Sequence, residues 1–184
     1  MTPEDPLAPF GEPGGDDDGT VAPFGHGAGD AARYRQVLGH FATGVTVVTT
    51  ASGGAPAGLA VNSFTSVSLE PALVAFCVAK ASRTWPKLRS AGTFCGNILA
   101  EDQEALSRAF AGRPPDRFLG VGWRPGRSGA PILADVLAWI ECTIDAEHDA
   151  GDHVIVVGRV EDLDVGHEGR PLVFYRGGYG RFEP

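Results

Sequence analysis

Apolar positions from residue 31 onward fall into short runs broken by glycine, proline and small polar residues. Tyr34, Val37, Leu38 and Phe41 share one face at helical spacing, which predicts a helix over 31–41 with Asp30 as N-cap and Gly44 beyond its end. Residues 45–51 are rich in β-branched side chains and read as a strand. The Ser-Gly-Gly turn at 52–54 and the apolar run 57–64 complete a hairpin. A buried strand is expected over 72–79. A short helix follows over 82–90, with Pro86 tolerated in its first turn. Residues 93–99 predict a strand, and 101–111 a helix that turns Leu106 and Phe110 inward. A loop rich in Gly, Pro and Arg spans 112–131. Long strands are expected near 134–147 and 153–164, with a last short one at 172–176.

Many strands joined directly, with few short helices, predict a mainly β protein: a closed antiparallel barrel with helices at its ends. A doubly wound α/β sheet fits poorly, and no Gly-x-Gly-x-x-Gly follows a strand.

Composition changes the picture in two places. The chain has 184 residues and a formal charge of −8, but residues 1–30 hold seven acids and no Lys or Arg. The remainder is close to neutral, at about −1, so charge favours neither nucleic acid nor an anionic membrane as partner. Residues 1–29, rich in Gly, Pro and Asp and carrying Ala-Pro-Phe-Gly twice, read as a disordered leader to a single domain over 30–184. Alternatively, Phe10 and Phe24 are anchors for a partner. The second change comes from Cys77, Cys95 and Cys142, each in an apolar run without a Cys-x-x-Cys pair. They read as reduced thiols of a cytoplasmic protein. No secretory signal or membrane-spanning run is visible.

Three segments carry candidate chemistry. Residues 62–68 (Asn-Ser-Phe-Thr-Ser-Val-Ser) place Asn62, Ser63, Thr65, Ser66 and Ser68 at a strand's end, as turn chemistry or as donors to a ligand edge. Residues 80–84 (Lys-Ala-Ser-Arg-Thr) lead into a helix, where Ser82 or Thr84 caps and Arg83 adds a cation. This is either an ordinary capped helix or an anion site. Gly151-Asp152-His153 opens a strand, and Tyr175, Arg176, Gly177 and Tyr179 cluster near the chain end. His153 lacks neighbours at metal-ligand spacing and reads as structural or as a ring-positioning residue.

These motifs, with residues 41–49 (Phe-Ala-Thr-Gly-Val-Thr-Val-Val-Thr), Leu69-Glu70-Pro71 and residues 171–179, closely resemble the short-chain flavin reductases that serve two-component flavin-dependent monooxygenases. The resemblance covers about residues 31–182. It implies an FMN-binding split β-barrel of Greek-key type, a homodimer, and hydride transfer from NADH to FMN or FAD, with reduced flavin released to a partner oxygenase. By position, it implies that Pro56, Ala57, Gly58, Leu59, Ala60, Asn62 and Ser63 line the isoalloxazine and ribityl chain, with Thr65 and Ser68 nearby. Cys77, Val78 and Ala79 supply backbone contacts. Ser82, Arg83 and Thr84 hold the phosphate, and Ala109 and Phe110 form a further wall. His153 contacts nicotinamide, with Arg176, Gly177 and Tyr179 at the same mouth. Relatives often carry a hydroxyl where this chain has Ala60. Two alternatives stay open: a flavoprotein with tightly held FMN acting on another small molecule, and a flavin-binding protein without turnover.

Overall fold

The computed structural model describes residues 31–112, 114 and 116–183. The leader and the proposed Asp30 cap lie outside the described residues. Seven strands form one antiparallel sheet. In chain order they are β2 (Thr46–Ser52), β3 (Ala55–Val61), β4 (Thr65–Leu69), β5 (Ala72–Ala79), β6 (Thr93–Ile98), β9 (Ala138–Ala150) and β10 (His153–Val165). Their spatial order is β3-β2-β6-β9-β10-β5-β4. A closed barrel is the one architectural expectation that changes. The ladder ends at β3 and β4, and no pairing joins those two edges among the described strands.

The centre of the sheet is buried on both faces, which explains the β-branched run in β2. Val47 packs with Phe110, Ile132, Trp139 and Leu172 on one side. Val48, its neighbour, packs with Phe76, Phe94, Leu88 and Val156 on the other, as alternation along a strand requires. The polar residues of β2 are satisfied locally: Thr50 donates its hydroxyl to the Thr93 carbonyl at 2.8 Å. Helix α2 (Trp85–Ala91) is shorter than expected, and Pro86 sits in its first turn. It covers the second core with Trp85 and Leu88.

Further elements depart from the sequence reading. Helix α1 (Ala31–Leu38) buries none of its residues, and Tyr34, Val37, Leu38 and Phe41 are all at least half exposed. Helix α3 starts at Glu104, so it spans Glu104–Ala111. The strand expected to run to 64 ends at Val61, and residues from Thr65 onward form a separate edge strand, β4. The chain end gains an unforeseen strand, β12 (Gly178–Arg181). It pairs with β11 (Leu172–Tyr175), which also pairs with β1 (Thr43–Gly44). Arg176 and Gly177 both take positive φ between β11 and β12, a two-residue turn that fixes the hairpin.

The supposed loop 112–131 is partly a hairpin, β7 (Trp123–Pro125) with β8 (Pro131–Leu133). Two buried polar side chains reach out of the sheet to hold it. Asn97 donates to the Val47 carbonyl at 3.0 Å and to Thr49 Oγ1 at 3.1 Å, and accepts from the Leu133 N–H at 2.8 Å. The Glu141 carboxylate accepts the Arg127 and Ser128 N–H groups at 2.8 and 3.1 Å and the Ser128 hydroxyl at 2.5 Å. Such groups carry no hydrophobic signal, so the hairpin is invisible to periodicity.

Replacing Asn97 by Leu strands the Leu133 N–H and the Val47 side of the network in an apolar site. A buried unsatisfied group costs about 1–3 kcal/mol. The variant is expected to lose about 3 kcal/mol, read as a lower urea midpoint at unchanged slope.

Candidate functional site

The groove that concerns function lies where the sheet fails to close. Edge strand β3 and strand β5 face each other without pairing, and α3 lies against β3. Alternation along β3 turns every second residue's N–H and C=O away from β2. The Gly58 carbonyl is on that outer side, since it accepts from Arg117 Nη1 at 2.8 Å. Ala60 therefore points the same way, and Asn62 follows just past the end of the strand. On β5, Cys77 belongs to the outward set: its N–H donates to Ser63 Oγ at 2.9 Å, and its carbonyl accepts from the same hydroxyl at 3.4 Å. Ala79, two residues on, has the same orientation.

These edges bound an inner compartment of about 150 Å³ lined by Leu59–Ser63, Cys77–Ala79, Ser82, Phe110 and His153, among others. Phe110 reaches it because Gly58 has no side chain; a Cβ there would stand 2.8 Å from the Phe110 ring. The Asn62 side-chain amide makes no hydrogen bond among the described residues and is left for a ligand. His153 sits on the opposite wall, in register with Ala79 at the first position of β10. Its Nδ1 lies 2.7 Å from Asp152 Oδ1. That hydrogen bond holds the Asp152 carboxyl below its usual range. With Asp152 ionised, Nδ1 carries the proton and Nε2 is the ring nitrogen left for another partner.

An outer compartment of about 500 Å³ continues along Pro56, Ala57 and Gly58 to Arg83, Thr84, Lys87, Pro114, Asp116 and Phe118. Arg117 lines both compartments. Its Nη1 donates to the Gly58 carbonyl and to Thr84 Oγ1, each at 2.8 Å, while Nε and Nη2 donate to the Gly112 carbonyl at 3.1 and 2.6 Å. Thr84 precedes α2 but makes no side-chain cap; its hydroxyl is directed to Gly58 and Arg117 instead. Helix α2 has seven residues, so the cationic character of this end rests on side chains, Arg83 and Lys87, both exposed.

Most of the residues singled out in the sequence thus converge: 56–60, Asn62, Ser63, 77–79, 82–84, Phe110 and His153 line one continuous groove. Others lie elsewhere in the single chain. Thr65 and Ser68 are on edge strand β4 beyond the groove. Ala109 faces a separate hollow behind α3, with Leu106 and Leu119. The hairpin bearing Arg176, Gly177 and Tyr179 packs against α3 away from these lining residues, with Tyr179 Oη 2.9 Å from Ser107 Oγ and the Arg108 guanidinium over its ring at 4.8 Å. Burial raises the Tyr179 pKa. Arg117, Lys87 and Phe118 escaped the sequence reading because they occupy a stretch or positions with no motif. The Asp-Arg-Phe run inside an otherwise Gly/Pro-rich loop is the signal that was there to find.

The thiols divide in the same way. Cys95 and Cys142 are buried, and desolvation pushes both up to about 12, so they pack as apolar side chains. Cys77 is partly exposed on the groove wall.

Over residues 38–183 the chain matches the flavin reductase like domain family. It is 47% identical over 167 residues to the reductase subunit HsaB of a flavin-dependent monooxygenase from Rhodococcus jostii, a match spanning 91% of this chain and 84% of that protein. Nitrilotriacetate monooxygenase component B from Mycobacterium thermoresistibile superposes with a TM-score of 0.81 at 47% identity, over 83% of this chain and 87% of that one. The NADH:FAD oxidoreductase SgcE6 of Streptomyces globisporus, in complex with NAD and FAD fragments, gives a TM-score of 0.80 at 40% identity, over 84% and 94%. An antiparallel split sheet, a groove along its open seam, and this continuous likeness agree: the chain belongs to the flavin reductase like family.

Proposed function

We propose that this protein is an NADH-dependent flavin reductase that supplies reduced flavin to a separate monooxygenase. The observation that carries the reading is the groove itself, together with relatives named as reductase subunits of such systems. The residues present fit a flavin. The inner compartment offers apolar walls from Leu59, Ala60 and Phe110, and an unused amide at Asn62. The outward N–H of Ala60 lies along the β3 edge, and cations stand beyond at Arg83 and Lys87.

When bound, the two nucleotides supply the redox chemistry, a hydride passing from nicotinamide to flavin N5. The protein's part is to place two rings in contact, which needs orientation rather than a proton donor. Asn62 and the β3 edge hold the polar rim of one ring, where donors favour the charge that builds on reduction. His153 stands at the open side, its orientation fixed by Asp152, and positions the second ring through its free face or Nε2. Phe110 closes the wall against water.

The sequence motifs assign Arg176, Gly177 and Tyr179 to the nicotinamide mouth, and a second copy of the chain is the route by which they would reach it. A homodimer is also supported by α1 and its neighbours: Tyr34, Val37, Leu38, Phe41, Tyr175 and Phe182 are large apolar side chains left at least 44% exposed. The backbone joins these pieces, since the Arg176 N–H donates to the Gly39 carbonyl at 2.8 Å. Free thiols fit a reducing compartment such as the cytoplasm, and no helix among the described residues is long and apolar enough to cross a membrane.

Three outcomes are expected. NADH consumption should scale with added free flavin and continue under air; tightly held yellow colour with background NADH oxidation would point to a binding protein. His153→Ala should reduce kcat/KM for NADH by about tenfold or more while flavin affinity changes little, on the scale of one lost positioning contact. Unchanged NADH kinetics would remove its role. Sedimentation equilibrium should give a dimer mass in the micromolar range, and a monomer throughout would reject the homodimer.

A further inference from the structure

Tyr179 belongs to a motif that the groove does not absorb, because its hydroxyl is bonded inward, to a helix. We propose that Tyr179 and Ser107 form a positioning pair: their hydrogen bond seats α3, and through α3 the Phe110 wall of the inner compartment, so that Tyr179 governs flavin binding from outside the groove. The pair's role rests on the flavin reductase reading and adds a positioning residue to it.

Helix α3 buries two of its residues, Ser107 and Phe110, three positions apart and therefore on one face. Phe110, with Ala111 beside it, lines the inner compartment. Ser107 stands one turn earlier and is fully buried, and its hydroxyl lies 2.9 Å from Tyr179 Oη. Packing alone gives no reason for a serine there. A buried hydroxyl without a partner is worse than the methyl of alanine, which is also the better helix former. The residue suits its position because Tyr179 supplies the partner.

Tyr179 is itself held on more than one side. Its ring meets that of Phe174, its cross-strand neighbour, edge-to-face at 5.5 Å. The Arg108 guanidinium covers the ring at 4.8 Å, and Glu104 holds that guanidinium through Nε at 2.9 Å and Nη2 at 2.8 Å. A nicotinamide stacking on that face would have to displace Arg108. The coenzyme assignment then falls on the hairpin tip, Arg176 and Gly177.

The seat of Phe110 has no slack. A Cβ at Gly58 would stand 2.8 Å from the Phe110 ring and 3.1 Å from the Val48 carbonyl oxygen, so the ring lies directly on the β3 backbone. Leu59 and Ala60, the next residues of β3, line the compartment. Arg117 fixes the C-terminal end of α3 through the Gly112 carbonyl. At the other end Gln103 makes no side-chain cap to the helix, and the Tyr179–Ser107 bond ties the body of the helix to the β11–β12 hairpin. Close packing transmits a small shift of the helix to the wall rather than absorbing it.

Dissociation constants for FMN and FAD are measured by fluorescence titration, and KM for NADH by steady state, on the wild type, Tyr179→Phe, Ser107→Ala and the double variant. Urea midpoints are recorded alongside. Tyr179→Phe keeps the ring and removes the hydroxyl. It should weaken both flavins about five- to tenfold, the scale of one buried hydrogen bond, and leave KM for NADH unchanged. Ser107 is too buried to touch a ligand, so a loss of flavin affinity in Ser107→Ala must pass through the helix. The double variant should lose no more than Tyr179→Phe alone. A rise in KM for NADH with flavin affinity intact overturns the proposal and puts Tyr179 at the coenzyme. Losses that multiply in the double variant overturn it, because the two hydroxyls then act separately. Unchanged flavin constants overturn it whether or not the urea midpoints fall, since the pair would at most stabilise the fold. Flavin affinity is read without turnover, so wild-type protein that binds flavin yet oxidises no NADH sinks the reductase reading while the titrations still decide this one.

Discussion

An antiparallel sheet that does not close leaves a row of backbone donors and acceptors along each free edge, and those groups must find partners or face water. Much of this protein's site follows from that constraint. Along the seam between β3 and β5, the chain satisfies some edge groups itself: Ser63 bridges both polar groups of Cys77, and Arg117 takes the Gly58 carbonyl. The Ala79 carbonyl is taken by the Ser82 N–H at 2.9 Å, while Ala60 faces a slot with apolar walls. On the proposed function, a planar ligand with a polar rim would complete the edge, as a further strand would in a closed barrel.

Arg117 ties that seam to the rest. One guanidinium joins the free edge of β3, the start of α2 and the end of α3, using the fixed fork that a lysine lacks. Three elements whose relative positions set the groove's width thus share one hub. Asn97 and Glu141 do the corresponding work at the β7–β8 hairpin, each buried and each satisfied by backbone groups of the loop it holds. A fully satisfied polar anchor of this kind fixes one arrangement, where apolar packing would tolerate several.

Legibility in the sequence follows the kind of interaction involved. Strand β5 is read correctly at both ends because a run buried at its centre writes its period plainly, and the β2–β3 hairpin because Gly53 and Gly54 mark its turn. The site segments were legible as motifs, but only the family resemblance brought them together, since β5 and β10 meet by long-range pairing and β3 faces β5 without any. Helix α1 misled for a physical reason: an amphipathic stripe announces that something will cover it, not that the same chain will. The hairpin at 123–133 left no trace in hydropathy, and Arg117 only the faint one of a charged-aromatic run, because each depends on side-chain bonds to backbone across the fold. The closed barrel failed for a related reason: hydropathy places strands in a sheet but says nothing of whether its last two edges pair.

The position of His153 shows how the scaffold presents a side chain to the groove. Strand β10 runs through the middle of the sheet, paired on both sides, so its first residue is anchored by two neighbours while its side chain meets the open groove. The Lys80 N–H bond to the Asp152 carbonyl at 2.9 Å fixes the turn just before it. Asp152, itself almost fully solvated, then holds the imidazole by Nδ1. A ring-positioning residue needs a rigid base and an accessible face, and the end of a central strand supplies both. The Gly151-Asp152-His153 motif is accordingly a piece of strand-end architecture: Gly151 takes the positive φ of the turn, Asp152 sets the ring's tautomer, and His153 lines the inner compartment.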